Sequence, residues 1–267
     1  FTLSSVESAI VRNLTVVRGL RGVALQGSNK NILLERVTAR GFSLTAFYSE
    51  FGTNLLFDRC VSFGPGGGFF SAGGGPCRWE RSVFWSNTTA FSFNLVNTSL
   101  SNSVVVGGTL CGSSGFTNAD FNVLWDVALP GGASTMADLQ ALSGVWSNSV
   151  IADPDFANAA EFDFHPRSIY GRFDLTTSTI VTDDVQSILI DLGDPAGAFA
   201  NEPAPNGGRA DVGLFADHAE ASRSATGAWL QARSHMDGGL LSGTVTFTWN
   251  AGNFTNGSLV RLQVAGI

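Results

Sequence analysis

Carboxylates and arginines recur side by side at regular intervals in the first half of the chain. They occupy the fifth and sixth positions of a repeated six-residue segment. The carboxylates are Glu35, Asp58, Glu80 and Asp126, with Asn102 in the same position of another copy, and the arginines are Arg18, Arg36, Arg59 and Arg81. If the copies stack, Asp58 and Glu80 would reach the roughly 5 Å separation that suits retaining glycoside hydrolysis. The candidates for ligand binding are Glu35, Arg36, Asp58, Arg59, Glu80 and Arg81.

The same charges also have a structural interpretation. Like charges that stack directly repel, so an acidic column beside a basic column neutralises it through salt bridges at a solvated corner. A catalytic site is one place in a protein, whereas these charges return in nearly every copy of the segment. Their recurrence therefore favours structural salt bridges.

The spacing of the segments predicts the elements that carry these side chains. With the fifth residue as marker, the copies fall at Val17, Glu35, Asp58, Glu80, Asn102 and Asp126. The intervals are 18, 23, 22, 22 and 24 residues. A period near 22 without helical patterning is typical of a β-solenoid, and the Leu/Asn pattern of a leucine-rich repeat is absent. We predict an all-β, right-handed parallel β-helix whose equivalent residues stack about 4.8 Å apart.

Aromatic and sulfur-containing side chains are expected inside this helix. Large apolar residues at matching positions of successive copies predict an internal aromatic stack of Phe47, Phe70, Phe91 and Phe93. Three cysteines allow one disulfide at most, so this is not a disulfide-built fold. Buried thiols are the simpler expectation for Cys60, Cys77 and Cys111.

After residue 127 the repeat fades, and acidic residues reappear beside Pro and Gly. A short helix is predicted over 134–143, capped by Ser134, and short extended pieces follow it. The acidic residues are Asp153, Asp155, Asp191, Asp194 and Asp211. Asp in such places commonly makes turn hydrogen bonds. We therefore expect no cofactor; calcium at one of these turns is the alternative, and its candidate ligands are Asp153, Asp155, Asp191 and Asp194.

Three segments of this half resemble a known family. They are Asp153-Pro-Asp-Phe156, Asp191-Leu-Gly-Asp-Pro195 and Glu202-Pro-Ala-Pro-Asn-Gly-Gly-Arg-Ala-Asp-Val-Gly213. Together with the repeats, they resemble secreted bacterial right-handed β-helix proteins of the pectate-lyase-like superfamily, over about residues 10–220. In the enzymes of that superfamily, carboxylates bind calcium and an arginine with a lowered pKa removes a proton from the sugar. The resemblance would place those roles on Asp58, Glu80, Arg59 and Arg81.

The end of the chain has a different pattern. Alternation in 243–249 and 258–264, around an Asn/Gly turn, predicts a hairpin that would open a β-sandwich-like module. Two strands alone are marginally stable, so we expect the natural protein to continue past Ile267, and any signal peptide before Phe1 to have been removed. The predicted domains are 1–220, the β-helix with its irregular closing segment, and 221–267, a linker and the start of the module.

Composition argues against several partners. The chain has 22 acidic and 15 basic residues, a formal charge of −7 and a pI near 4.8. Such an acidic surface does not attract nucleic acid or anionic lipid. No run approaches the roughly 18 apolar residues that a membrane span needs. No metal-ligand spacing links the histidines, His165, His218 and His235.

These patterns favour a non-catalytic segment of a larger extracellular or cell-surface protein, serving adhesion, assembly or glycan contact. The expected partners are an extracellular polysaccharide, other surface proteins or further copies of the chain. A polysaccharide lyase or glycoside hydrolase is the alternative, and it would need Arg59 or Arg81 to stand apart from the acidic residues near a bound calcium. A fibre-forming subunit, joined through end-to-end stacking of rungs, is the third possibility.

Overall fold

The computed structural model describes residues 1–93, 97–111, 116–226, 229–232 and 249–252. Parallel strands stack into a β-solenoid of about five turns, which confirms the predicted all-β fold and its spacing of about 22 residues. The strands of the solenoid up to its last rung are β1 (Thr2–Ser4), β2 (Ala9–Arg12), β3 (Thr15–Gln26), β4 (Lys30–Glu35), β5 (Thr38–Ser49), β6 (Thr53–Asp58), β7 (Val61–Phe63), β8 (Gly67–Ser71), β9 (Cys77–Glu80), β10 (Val83–Trp85), β11 (Thr89–Phe93), β12 (Thr98–Ser101), β13 (Val104–Val106), β14 (Thr109–Cys111), β15 (Phe116–Asp120) and β16 (Val123–Trp125).

The second half contains shorter elements. They are α1 (Met136–Ser143), β17 (Val150–Ile151), β18 (Phe156–Asn158), β19 (Asp163–Pro166), β20 (Arg172–Asp174), β21 (Thr179–Val181), β22 (Trp229–Ala232) and β23 (Trp249–Gly252), with 3-10 turns at Pro130–Gly132 and Ala159–Glu161. Strand β17 continues the solenoid, whereas β18–β19, β20–β21 and β22–β23 are antiparallel hairpins.

The strands form three parallel sheets that run along the solenoid. Sheet 1 contains β2, β4, β6, β9, β12 and β15 in spatial order. Sheet 2 contains the first parts of β3 and β5, followed by β7, β10, β13, β16 and β17. Sheet 3 contains β1, the second parts of β3 and β5, and then β8, β11 and β14. Strands β3 and β5 belong to two sheets because each continues around the corner between them.

Apolar side chains that repeat from rung to rung fill the interior. Alternation along a strand sends every second side chain inward. In sheet 1, Phe57 lies opposite Trp79, and their rings stack with centroids 4.0 Å apart. In sheet 3, Phe47, Phe69 and Phe91 lie in register and are buried. The predicted buried thiols are confirmed for Cys60, Cys77 and Cys111.

The inner aromatic column differs from the prediction by one residue. Phe69 holds the inner position, and Phe70 lies opposite Tyr48 on the outer face. The cause is the corner between sheets 2 and 3, which has four residues, 41–44, in one rung and three, 64–66, in the next. A corner shortened by one residue moves every following side chain to the other face.

Helix α1 covers the C-terminal end of the solenoid interior. Its N-cap is Thr135, not the predicted Ser134: the Thr135 hydroxyl accepts from the N–H of Asp138, and the Asp138 carboxylate accepts from the N–H of Thr135. This reciprocal pair is a capping box. Leu139 is buried in the core, whereas Leu142 is 54% exposed.

The closing segment, residues 152–226, covers the outer face of sheet 2. Val83 and Val104 of that face are buried with Phe164 and Val212 of the closing segment in a second apolar cluster. Residues 188–192 of this segment are mostly a turn. The closing segment therefore adds an outer layer over one of the three sheets.

An antiparallel pair of strands lies near the end of the chain, but its strands are not the two that were predicted to form the terminal hairpin. Strand β22 pairs with β23, so the strand runs to Gly252 where an Asn/Gly turn was predicted. Residues 243–248 and 258–264, which carry most of the predicted hairpin, lie outside the described residues. The division of the chain at residue 220 stays a prediction.

Candidate functional site

The charged corner is the edge along which sheet 1 turns into sheet 2. It comprises Arg12, Glu35, Arg36, Asp58, Arg59, Glu80 and Arg81. Glu35 lies opposite Asp58, and Asp58 lies opposite Glu80. Neighbouring strands of a sheet are about 4.8 Å apart. The predicted acidic column is therefore present for these three residues.

Two members predicted for the acidic column lie elsewhere. Ser101 is the residue opposite Glu80, and Asp120 lies opposite Ser101. Asn102 follows Ser101 and therefore continues the column of arginines. Asp126 follows β16, at the corner between sheets 2 and 3. Strands of sheets 1 and 2 have similar alternation, so the sequence alone does not show which sheet a copy belongs to.

The first copy of the six-residue segment, residues 13–18, was also assigned to the wrong sheet. Val17 pairs with Arg40 in sheet 2, and Arg12 is the residue opposite Glu35 in sheet 1. Arg18 therefore lies at the corner between sheets 2 and 3 and is not part of the charged corner. The basic column predicted from the sequence is correct for its other three arginines.

Those arginines occupy left-handed backbone positions. The φ angle is 54° at Arg36, 52° at Arg59 and 50° at Arg81, and the Arg36 N–H donates to the carbonyl of Asp58 in the next rung. The left-handed conformation costs an L residue roughly 1–2 kcal/mol. Hydrogen bonds between rungs and the ion pairs of the corner offset that cost.

Asp58 is the acceptor around which the charged corner is organised. Arg59 donates to its Oδ2 at 2.9 Å, and Arg81 donates to its Oδ1 at 2.7 Å. The Asp58 side chain is only 8% exposed. Glu35 lies one rung before Asp58 and accepts a hydrogen bond from Arg12. This hydrogen bond holds the pKa of Glu35 below its ordinary value.

Arg59 lies beneath the closing segment. Its Nη2 donates to the carbonyls of Ala216 at 2.7 Å and Asp217 at 3.3 Å, in addition to the bond from Nη1 to Asp58. Burial lowers the pKa of Arg59, and the Asp58 charge opposes that shift. The guanidinium is thus bound to its acidic neighbour, whereas a lyase base would have to stand apart from it.

The two sets of residues predicted as site candidates meet at one place. A corner pocket of about 260 Å³ between the charged corner and the closing segment is lined by groups that include Glu80, Arg81 and Asp194. Among the described residues, the Glu80 carboxylate makes only long contacts, 3.9 Å to Arg78 and 4.0 Å to Arg81. Asp194 accepts from the N–H of Ala196 at 2.8 Å. Glu80 is therefore the loosest carboxylate of the charged corner.

The other acidic candidates form turns within the closing segment. Asp153 accepts from the N–H of Asp155 at 3.0 Å, as predicted for turn residues. Asp191 accepts from the Ser224 hydroxyl at 2.8 Å, and its N–H donates to Asp211 at 3.0 Å. Among the residues that the structure describes, no three or more His, Cys, Asp or Glu residues are arranged to hold a metal ion. Calcium binding stays a prediction.

A buried glutamate that the sequence analysis missed joins this acidic set. Glu202 accepts at Oε1 from the N–H groups of Asp211 at 3.0 Å and Asp217 at 2.8 Å. Burial raises the pKa of Glu202 to about 7 and raises the pKa of Asp211 well above its ordinary value. The spacing of the acidic residues did not indicate this contact, although Glu202 and Asp211 both lie in the third of the segments that resemble a known family.

Two of the histidines lie in the closing segment. His165 is fully buried, and its Nδ1 lies 2.6 Å from Oδ1 of Asp163. Glu220 lies 3.9 Å from Nε2 of His165 and 4.0 Å from Nδ1 of His218. His235 is outside the described residues. The burial of His165 makes it part of the packing of the closing segment.

A second candidate site, which the sequence analysis also missed, lies where sheets 2 and 3 end. This terminal groove encloses about 770 Å³. Trp125 is 40% exposed there, and Asp126 follows it in the left-handed conformation with φ 50°. The lining residues are Gly108, Trp125, Asp126, Val127, Ala128, Leu129, Ala133, Ser134 and Ile151. The sequence analysis assigned Asp126 to the acidic column and therefore did not consider it together with the exposed indole of Trp125.

Comparisons with known proteins do not assign a family. No family model, no curated protein and no solved structure matches the chain. No helix within the described ranges is long and apolar enough to cross a membrane. The function is therefore argued from the geometry of the charged corner and the terminal groove.

Proposed function

We propose that the chain is a non-catalytic β-helix segment of a larger extracellular or cell-surface protein that contacts glycans. The observation that carries this proposal is the engagement of Asp58 by both Arg59 and Arg81. A lyase needs a basic group free to take a proton from its substrate, and a hydrolase needs carboxyl groups that face the scissile bond. At the charged corner these groups bind one another, which supports a structural role.

The extracellular setting is supported by the segment from Glu202 to Gly213. Its string resembles the closing segment of secreted bacterial β-helix proteins of the pectate-lyase-like superfamily. In this chain the segment lies beside the charged corner, where its Ala210 lines the corner pocket together with Glu80 and Arg81. The proposed partners are extracellular polysaccharides, other surface proteins and further copies of the chain.

A polysaccharide panel with two readouts tests this proposal. Uronate and neutral polymers are incubated with the protein, with and without calcium, and both retention on each polymer and release of reducing or unsaturated ends are measured. We expect retention on at least one polymer and no released product. Calcium-dependent cleavage of any polymer would contradict the proposal.

A polysaccharide lyase or hydrolase is the second candidate, favoured by the corner pocket. Glu80 is its loosest carboxylate, and Arg81 lines the same pocket. If the wild-type protein releases product, Glu80→Gln should abolish the release. Glu35→Gln is the matched control, since Glu35 belongs to the same column but does not line the corner pocket. Absence of product from the wild type removes this candidate.

A further inference from the structure

The terminal groove begins where an outer column of sheet 2 loses its cover. In successive rungs this column holds Trp85, Val106 and Trp125. Trp85 contacts the rings of Phe156 and Phe164 in the closing segment. Trp125, two rungs later, keeps 40% of its surface exposed and lines the terminal groove. The groove therefore presents an indole whose equivalent deeper in the column, Trp85, is partly buried under the closing segment.

An exposed carboxylate follows this indole in the sequence and lines the same groove. Asp126 is exposed, and within the described ranges its side chain makes no hydrogen bond and no ion pair. Its φ angle is 50°, in the corner position that Gly41, Gly64 and Gly107 occupy with positive φ in other rungs. Aspartate tolerates this conformation better than most residues with a side chain. Asp126 thus places an unpaired acceptor at the mouth of the terminal groove.

An indole next to a free carboxylate suits a sugar ring. One face of a pyranose is lined with C–H groups, which pack on an aromatic face, and its rim carries hydroxyls, which donate to a carboxylate. Tryptophan provides a large apolar area and dominates many binding interfaces. The groove volume of about 770 Å³ lies within the roughly 300–1,000 Å³ range of ligand sites, so it has room for more than one ring.

The charge of the groove selects among glycans. Among the described residues that line it, Asp126 is the only charged one. A uronate polymer would therefore bring carboxylates toward a carboxylate, with no cation among those described lining residues, and like charges at an interface oppose binding. A neutral polymer meets no such repulsion.

We propose that the terminal groove binds a neutral polysaccharide, with a sugar ring stacked on Trp125 and hydroxyls donating to Asp126. This inference rests on the proposed function, because it names the place and the class of the glycan contact. It goes beyond that function in separating the binding surface from the charged corner. It also requires no calcium, because the hydroxyls bind the carboxylate directly.

Affinities of the full chain for soluble neutral polymers test the inference. The probes are a β-1,4-glucan, a mannan and a galactan, with polygalacturonate as the acidic comparison, all measured in a chelator. Trp125→Ala should weaken neutral-polymer binding at least about tenfold, and Asp126→Asn about threefold or more. Trp125→Phe keeps a ring and should stay within about threefold of the wild type.

Phe70→Ala is the matched control. Phe70 is a partly exposed aromatic on the outer face of sheet 3, stacked on Tyr48 with centroids 5.7 Å apart. It does not line the terminal groove, so its removal should leave neutral-polymer binding unchanged. Circular dichroism and thermal unfolding of each variant show whether the fold persists. If Trp125→Ala fails to fold, Asp126→Asn and Trp125→Phe carry the comparison.

The outcomes separate this inference from the proposed function. Neutral-polymer binding that survives Trp125→Ala and Asp126→Asn, or that falls in Phe70→Ala instead, overturns the inference and leaves glycan contact standing. Binding of polygalacturonate alone overturns it in the same way. Absence of binding to every polymer contradicts both.

Discussion

The charged corner and the terminal groove share one local geometry. Each places a left-handed residue after a strand, with φ 52° at Arg59 and 50° at Asp126. At the charged corner, neighbouring rungs set carboxylates beside arginines, and the side chains pair. Beyond Asp126, sheet 2 continues with the two-residue strand β17, and in the described part of the chain the Asp126 carboxylate makes no hydrogen bond or ion pair. Charges repeated along a solenoid stabilise the solenoid, whereas a charge at the end of the repeat is free for a ligand.

Burial strengthens this contrast. The Asp58 and Arg59 side chains are 8% and 11% exposed, because the closing segment lies over them. Asp126 and Trp125 are exposed at the terminal groove. We expect substitutions at the charged corner to change stability and substitutions at the terminal groove to change binding.

The largest effect should come from Asp58→Ala. Removing this carboxylate leaves the buried Arg59 guanidinium without its anion, which typically costs about 3–5 kcal/mol. The free energy of unfolding, measured with chemical denaturant, should fall by that amount. Asp126→Asn is the control and should stay within about 0.5 kcal/mol of the wild type. Equal losses in the two variants would remove the contrast between the two regions.

The next effect concerns the closing segment and its dependence on pH. Burial raises the pKa of Glu202 from 4.5 to about 7. The pKa of Glu202 is higher in the folded protein than in the unfolded chain, so protonated Glu202 stabilises the fold. This contribution to the free energy of unfolding is complete below pH 4.5 and is lost as pH rises through about 7. Glu202→Gln should therefore flatten the fall in stability between about pH 5 and 8, by on the order of 1–3 kcal/mol. Melting temperatures across that range measure it, and an unchanged pH profile would contradict the assignment.

The smallest effect should come from Glu35→Gln. Arg12, its partner, is 52% exposed, and exposed ion pairs contribute about 0–1 kcal/mol. The pKa of Glu35 is lowered, so its stabilisation is present above the ordinary carboxyl pKa and is lost as pH falls through the lowered value. Denaturant unfolding at neutral and acidic pH should show a small loss that disappears in acid. A loss that grows in acid would show that the pair is not what stabilises this rung.

The sequence predicted the solenoid because its period of about 22 residues comes from local alternation of apolar residues. For the same reason it predicted that Glu35, Asp58 and Glu80 lie opposite one another on neighbouring strands. It misplaced Asp126 because strands of sheets 1 and 2 have similar alternation, so a strand of sheet 2 was counted as a copy from sheet 1. It misplaced Phe70 because register depends on the number of residues in each corner, which differs by one between these rungs. The burial of Arg59 was also missed, since it depends on the carbonyls of Ala216 and Asp217, more than 150 residues away.

The most direct test of a structural charged corner is a paired measurement on Arg81→Gln. Arg81 binds Asp58 and lines the corner pocket, yet 25% of its side chain is exposed. We therefore expect the variant to be folded at the temperature of the assay. Glycan affinity and product release are measured together, with and without calcium. The account predicts wild-type affinity and no product from either protein. Product from the wild type that disappears in Arg81→Gln would contradict it and make the charged corner a catalytic site.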